Sequence, residues 1–297
     1  MLKEYRSLHF WGIIRVLYET CYQLCKFTRN MKHLKYYLIA FGFTWTVWIV
    51  SFMIVEWQNY TIPAQEAVFE VVTTDFVQSP LHLLAIVLFS LGVYGPLIAY
   101  GVLQKDKSWR VKAIPRAMIL FAVVFALALG LIPGFVAAII ANTSFGVTLP
   151  LLTLPIYLVY QIVTSGTEEF GWRGYLLPKF LEEDNAVEAG WKSGWVWAIW
   201  HFPLVIYLYS ALPIAIIIPT LIGFSFNIVG MSIIYAFLYV NSQSLLLAVI
   251  FHAMTNTFSL YLLGSTENPV VGFLPAIIVW GSVAYLRSRF GEDLVIQ

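Results

Sequence analysis

Three charged side chains lie close together in a chain that otherwise carries few charges. Glu168, Glu169 and Arg173 belong to the stretch Gly-Thr-Glu-Glu-Phe-Gly-Trp-Arg-Gly-Tyr at residues 166–175, whereas charged residues make up only 11% of the chain. A charge at the centre of a membrane-spanning helix costs roughly 2.5–3.5 kcal/mol on insertion scales, so charges that are kept there usually mark a functional site. This stretch is therefore the first candidate site.

Helix geometry separates the two glutamates of this stretch. Glu169 and Arg173 are four residues apart and share a helix face, whereas Glu168 lies about 100° round the helix from Glu169. Glu169 is then predicted to have a counter-ion and Glu168 to have none, and an unpaired carboxylate suits the role of a general base. The alternative is that all three charges form an ion-pair network that ties helices together.

A second polar pair lies in the stretch Phe-His-Ala-Met-Thr-Asn, where His252 and Asn256 are four residues apart. Both side chains can donate hydrogen bonds from one helix face, which suits the stabilisation of a developing oxyanion. A His and an Asn in a transmembrane helix can equally be hydrogen-bonding groups between helices, worth about 0.6 kcal/mol.

His201 is the third candidate, in the stretch Trp-Ala-Ile-Trp-His-Phe-Pro-Leu. A single intramembrane histidine is usually a packing residue, but this one comes with Glu168 and His252. The set could activate a water for hydrolysis, or it could bind zinc. The chain has no His-Glu-x-x-His motif, so a metal-free glutamate mechanism without a cofactor is preferred and a Glu168/His201/His252 zinc site is the alternative.

The elements that must position these residues are predicted to be membrane-spanning helices. Apolar residues make up 60% of the chain, outside the range of soluble domains, and several apolar runs reach the roughly 20 residues that a spanning helix needs. We expect an all-α, polytopic membrane protein of about eight spans that enclose a polar site. The windows are 36–55, 82–103, 115–141, 147–166, 193–210, 212–240, 243–263 and 269–286.

The charges of the loops predict the topology. The loop at 56–81 contains acidic residues and no Lys or Arg, whereas the loop at 104–116 is rich in Lys and Arg. Since cytoplasmic loops carry the excess of Lys and Arg, the first of these is expected outside and the second inside. Arg287 and Arg289 place the carboxyl terminus inside as well. Both termini are therefore predicted to be cytoplasmic.

The chain divides into two regions by composition. Residues 1–35 carry seven Lys and Arg against two Glu and are predicted to form a basic, amphipathic cytoplasmic segment that contacts membrane lipid. The alternative is a basic segment that only fixes the topology. Residues 36–290 are predicted to form a single helical bundle. All the candidate site residues lie in the part from about 145 to 260.

Three motifs together resemble those of the CPBP intramembrane glutamic endopeptidases, the CAAX prenyl protease type II and bacteriocin-processing (Abi) family. Glu-Glu-x-x-x-Arg matches residues 168–173, Phe-x-x-x-His is met by residues 197–201 with Trp197 in place of Phe, and His-x-x-x-Asn matches residues 252–256. Their order and spacings agree with the family over about residues 145–260. Trp197 keeps an aromatic ring, so the departure is expected to change little.

The resemblance implies a role for each residue. Glu168 and His201 would activate a water for attack on a peptide carbonyl, and His252 and Asn256 would hold the oxyanion. Glu169 and Arg173 would support the site structurally.

The function expected from this resemblance is that of a membrane endopeptidase. It would cut a protein or peptide near the cytoplasmic leaflet of a prokaryotic cell membrane, and CAAX-type processing of a lipidated substrate is one form of that activity. No nucleic-acid partner is expected. The alternatives are a non-catalytic immunity or scaffold protein and a small-solute or proton carrier, which would use Glu168 and the histidines as a relay.

Overall fold

A computed structural model describes residues 33–62, 77–104, 113–143, 145–147, 149–263 and 269–296. These residues form helices and no strand, which confirms the predicted all-α class. All but three residues of the predicted amphipathic segment lie outside the described ranges. The helices are α1 Leu34–Gln58, α2 Pro80–Gly92, α3 Gly95–Leu103, α4 Arg116–Ala141, α5 Leu154–Val163, α6 Glu168–Gly171, α7 Leu177–Phe180, α8 Ala186–Trp200, α9 Phe202–Leu208, α10 Ile214–Ser242, α11 Leu245–Phe258 and α12 Pro269–Phe290.

Five helical segments of the described residues are long and apolar enough to cross a membrane: Leu34–Gln58, Arg116–Ala141, Ile214–Ser242, Leu245–Leu262 and Val271–Phe290. A sixth span is present if α2 and α3, which are bent by 49° relative to each other, cross the membrane together. The multi-pass prediction is therefore confirmed, but the count of eight is not.

The two remaining predicted windows are interrupted. Only ten residues of the 147–166 window form α5, and the 193–210 window is divided at His201 into α8 and α9. Pro203 follows that break and has no backbone N–H to offer to a preceding turn. His201 therefore lies at a helix junction, rather than deep inside a continuous span as the sequence suggested.

The length of the sixth apolar window predicts a helix that is either tilted or broken at one of its prolines or glycines, and helix α10 is unbroken. It runs for 29 residues, with Pro213 at its N-cap and Pro219 inside it. At a rise of 1.5 Å per residue this is about 43 Å, longer than the roughly 30 Å hydrocarbon core, which a spanning helix accommodates by tilting.

Small residues bring α8 and α10 close together. A Cβ atom added to Gly190 would lie 2.8 Å from the Cα of Ile233, and one added to Gly194 would lie 2.7 Å from the Cα of Val229. Neither distance leaves room for a side chain, so the two backbones are in near contact, as at other transmembrane helix interfaces. This packing places Trp197, one turn further along α8, against the interior of the bundle.

Hydrogen bonds from side chains to backbone carbonyls join α1 to its neighbours. Trp48 Nε1 donates to Phe89 O at 2.9 Å and Ser51 Oγ donates to Ala85 O at 2.7 Å. Such bonds satisfy polar groups where no water is at hand. Among the candidate spans, Leu245–Leu262, which contains α11, is the most buried.

Candidate active site

The charged stretch lies in a helical segment that passes from 3₁₀ to α and then to π geometry. A single 3₁₀ turn at Ser165–Thr167 leads into α6, whose first residue is Glu168, and α6 continues as a π-helical turn at Trp172–Leu176. Turns of π-helix occur frequently at functional sites. The stretch is pressed against α3, because a Cβ atom on Gly171 would lie only 2.7 Å from Pro96 O.

Glu169 pairs with two partners. Arg173 Nη1 lies 3.0 Å from Oε2 of this carboxylate, and His252 Nδ1 lies 2.7 Å from Oε1. Glu169 and Arg173 have exposed fractions of only 0% and 1%. The structure thus brings together Glu169 and Arg173, as their spacing predicted, and adds His252 from α11. No periodicity in the sequence could have indicated a contact across 83 residues.

The guanidinium of Arg173 lies between two aromatic rings. Its Cζ is 4.4 Å from the ring centroid of Trp197 and 3.8 Å from that of Tyr235. Both distances are within the range of cation–π attraction, which is strongest where water is excluded. Aromatic faces therefore surround a charge whose polar partner is Glu169.

Glu168 has a different environment although it is the next residue. Its Oε2 accepts hydrogen bonds from Trp197 Nε1 at 3.0 Å and from Trp172 Nε1 at 3.3 Å. Its Oε1 has no hydrogen-bond partner among the described residues, and no Lys or Arg there forms an ion pair with it. The side chain is 3% exposed. It is a buried carboxylate held by neutral donors through one oxygen.

His201 is oriented by the backbone of α8. Its Nδ1 lies 2.9 Å from Trp197 O, and because a carbonyl only accepts, Nδ1 is the protonated nitrogen in this bond. Nε2 of a neutral ring is then left as an acceptor. The rings of Trp200 and Phe224 flank the imidazole, with centroids at 4.7 and 5.4 Å.

Asn256 forms its side-chain hydrogen bonds with residues that were not predicted to belong to the site. Its Nδ2 donates to Gln161 Oε1 and to Ser165 Oγ, both at 3.1 Å, which ties α11 to the end of α5. Sequence reasoning missed Gln161 and Ser165. Their spacing could have indicated them, because a Gln four residues before a Ser in an apolar window forms a polar pair on one helix face.

The remaining site residues meet around Trp197. Its ring centroid is 5.9 Å from that of His201 and 5.6 Å from that of His252, while its indole bonds to Glu168. Within the described ranges, no three His, Cys, Asp or Glu side chains are grouped as metal ligands would be. The arrangement places a carboxylate, two imidazoles and an indole donor on three different helices.

Comparison with known proteins agrees with the motifs. Residues 150–258 match the family model described as type II CAAX prenyl endopeptidase Rce1-like. The predicted family resemblance is therefore confirmed. All the candidate site residues, from Glu168 to Asn256, lie within this Rce1-like segment.

A curated relative points the same way. The CAAX prenyl protease 2 of Methanococcus maripaludis is 28% identical over 146 residues, which cover 46% of this chain. The alignment spans about half of that relative's length, 52%. Both matches are to proteins described as CAAX prenyl proteases, and each covers only part of this chain.

Proposed function

We propose that this protein is an intramembrane endopeptidase in which Glu168 and His201 activate the attacking water. The observation that carries the proposal is the contrast between the two glutamates: Glu169 faces Arg173 and His252, whereas the hydrogen bonds to Glu168 from the described residues come from two indoles and reach one oxygen. A buried carboxylate with a free oxygen and no counter-ion is suited to take a proton from water.

The proposed reaction has three steps. Glu168 and the Nε2 atom of His201 accept hydrogen bonds from the water, one proton passes to Glu168, and the hydroxide adds to the peptide carbonyl carbon. The C–N bond then breaks, and the proton held by Glu168 passes to the leaving nitrogen. The products are one carboxylic acid and one amine, so the water is fully accounted for.

His252 and Asn256 would hold the oxyanion of this reaction. A carboxylate opposite Nδ1 of His252 compensates the charge of a protonated ring, whose Nε2–H can then face the oxyanion. Asn256 contributes one N–H when the substrate displaces its bond to Gln161 or Ser165, since catalytic hydrogen bonds often form only in the substrate complex.

The substrate is proposed to be a protein or peptide cut near the cytoplasmic leaflet, with a CAAX-type carboxyl terminus as the first candidate. We place the protein in a prokaryotic cell membrane with both termini in the cytoplasm. The loop charges and the resemblance support this orientation.

Glu168→Gln tests the proposal. Purified wild-type protein in lipid nanodiscs is incubated with a peptide library that includes prenylated CAAX peptides, and the products are identified by mass spectrometry. The variant is expected to cleave at least about 100-fold more slowly, the usual contribution of a general base. Glu182→Gln, which alters an exposed carboxylate paired with Lys179, is the matched control and should cleave normally.

Two results would contradict the proposal: no cleavage by wild-type protein, or equal cleavage by wild type and Glu168→Gln. Proton-coupled solute uptake by wild-type proteoliposomes that cleave no peptide would indicate a carrier instead. Cleavage that a chelator abolishes and zinc restores would replace the metal-free mechanism.

A further inference from the structure

Trp197 occupies a position where its indole nitrogen matters as well as its ring. It stands at the first position of the Phe-x-x-x-His motif, where a Phe would offer no hydrogen-bond donor. Its Nε1 instead lies 3.0 Å from Glu168 Oε2. The substitution, expected from the sequence to change little, therefore adds a contact to the carboxylate that the proposed mechanism uses.

The two indole donors act on the same oxygen. Trp172 Nε1 and Trp197 Nε1 both donate to Oε2, and hydrogen bonds to a carboxylate are stronger than those between neutral groups. The two donors come from different helices, so Oε2 is held at two points. Oε1, which has no hydrogen-bond partner among the described residues, is the oxygen left to accept a bond from water.

Other atoms of Trp197 contact further members of the site. Its backbone carbonyl accepts from Nδ1 of His201 at 2.9 Å, and its ring lies 4.4 Å from the Cζ atom of Arg173. One residue thus sets the orientation of Glu168 through its side chain and that of His201 through its backbone.

Trp197 is itself firmly held. It is buried, its ring meets that of Tyr235 edge to face with centroids 5.8 Å apart, and the helix that carries it packs closely on α10 through Gly194. A donor fixed in this way needs little reorganisation when the reaction begins.

We propose that Trp197 is a positioning residue whose indole N–H holds Glu168 Oε2 and so directs Oε1 toward the attacking water. This inference rests on the proposed function, because it assigns Trp197 a part only through Glu168. It predicts that the N–H group, and not the ring alone, is needed for the full rate.

The test is Trp197→Phe, which keeps an aromatic ring and removes the donor. In nanodiscs, with a cleaved peptide as substrate, kcat is expected to fall by about 10-fold or more, as for the loss of a hydrogen bond to a charged group. KM should stay within about 2-fold, because Trp197 orients the base rather than the substrate. Trp172→Phe, which removes the longer bond to the same oxygen, should lower kcat less.

The matched control is Trp48→Phe. Trp48 is also a buried indole that donates a hydrogen bond, but to the backbone carbonyl Phe89 O of α2 and not to a carboxylate. This variant should lose thermal stability in the same way as Trp197→Phe and keep its kcat. A merely structural role of Trp197 would make the two variants alike.

A second replacement covers the case in which Trp197→Phe folds poorly. β-(3-Benzothienyl)alanine introduced at position 197 has the shape of tryptophan with sulfur in place of N–H, and it should reproduce the fall in kcat. A normal kcat in this variant would overturn the inference. If Glu168→Gln is inactive and the position-197 variants are fully active, this inference fails while the proposed function stands. If Glu168→Gln is active, the proposed function fails first.

Discussion

Glu168 and Glu169 are adjacent in the chain and both buried, yet their carboxylates have different hydrogen-bond partners. On the Glu169 side, Arg173 and His252 approach the carboxylate within 3.0 Å. On the Glu168 side, two indoles donate to one oxygen and no Lys or Arg of the described residues pairs with it. Successive residues of a helix are rotated by about 100° about its axis, so neighbouring side chains can face different helices.

The comparison of the two glutamates shows how a membrane protein can keep a reactive carboxylate. The buried charge of Arg173 would be costly without a partner, and Glu169 compensates it. Glu168 therefore does not have to compensate the charge of Arg173. The Glu169–Arg173 ion pair is predicted to affect chiefly stability and Glu168 chiefly the rate, while His252, bonded to Glu169, links the pair to the proposed oxyanion site.

The largest effect expected on stability is that of Glu169→Gln. It leaves the buried Arg173 without a countercharge, so the free energy of unfolding should fall by about 3–5 kcal/mol, as when one partner of a buried pair is removed. Glu168→Gln should change it far less. Thermal unfolding of both variants in detergent measures the comparison, and equal losses would mean that the two sides do not differ as proposed.

A smaller effect, on rate alone, is expected for His201→Phe. The new ring can keep the contacts with Trp200 and Phe224 but offers no nitrogen to water, so kcat should fall by about 100-fold with little loss of stability. His82→Phe is the matched control. His82 is buried beside Thr61, far from Glu168 in the chain, and its replacement should spare kcat. Normal cleavage by His201→Phe would remove His201 from the mechanism.

The smallest effect on stability is expected at an exposed ion pair that follows the charged stretch in the chain. Lys179 Nζ lies 2.6 Å from Glu182 Oε1, but both side chains are more than a third exposed. Lys179→Met should lower the free energy of unfolding by less than about 1 kcal/mol, because solvent screens such pairs. Together with Glu169→Gln, this variant measures how much burial adds to an ion pair of similar length. A loss as large as that of Glu169→Gln would show that burial is not the cause.

Much of the architecture could be read from hydropathy, because a spanning helix must be apolar over its whole length. Six of the eight apolar windows coincide with long helices or with the bent pair α2 and α3. The windows at 147–166 and 193–210 were read as spans because hydropathy averages over a break. The break at His201 depends on Pro203 and on the packing around it.

The amino-acid sequence alone indicated which residues could do chemistry, since ionisable groups are costly in a membrane and their helical spacing sets which of them share a face. It also predicted the pairing of Glu169 with Arg173, and among the described residues no Lys or Arg forms an ion pair with Glu168. Only the tertiary structure decided that His252 joins Glu169, that Asn256 turns to Gln161 and Ser165, and that Trp197 donates to Glu168. These contacts join helices far apart in the chain, and no local periodicity records where a distant helix will pack.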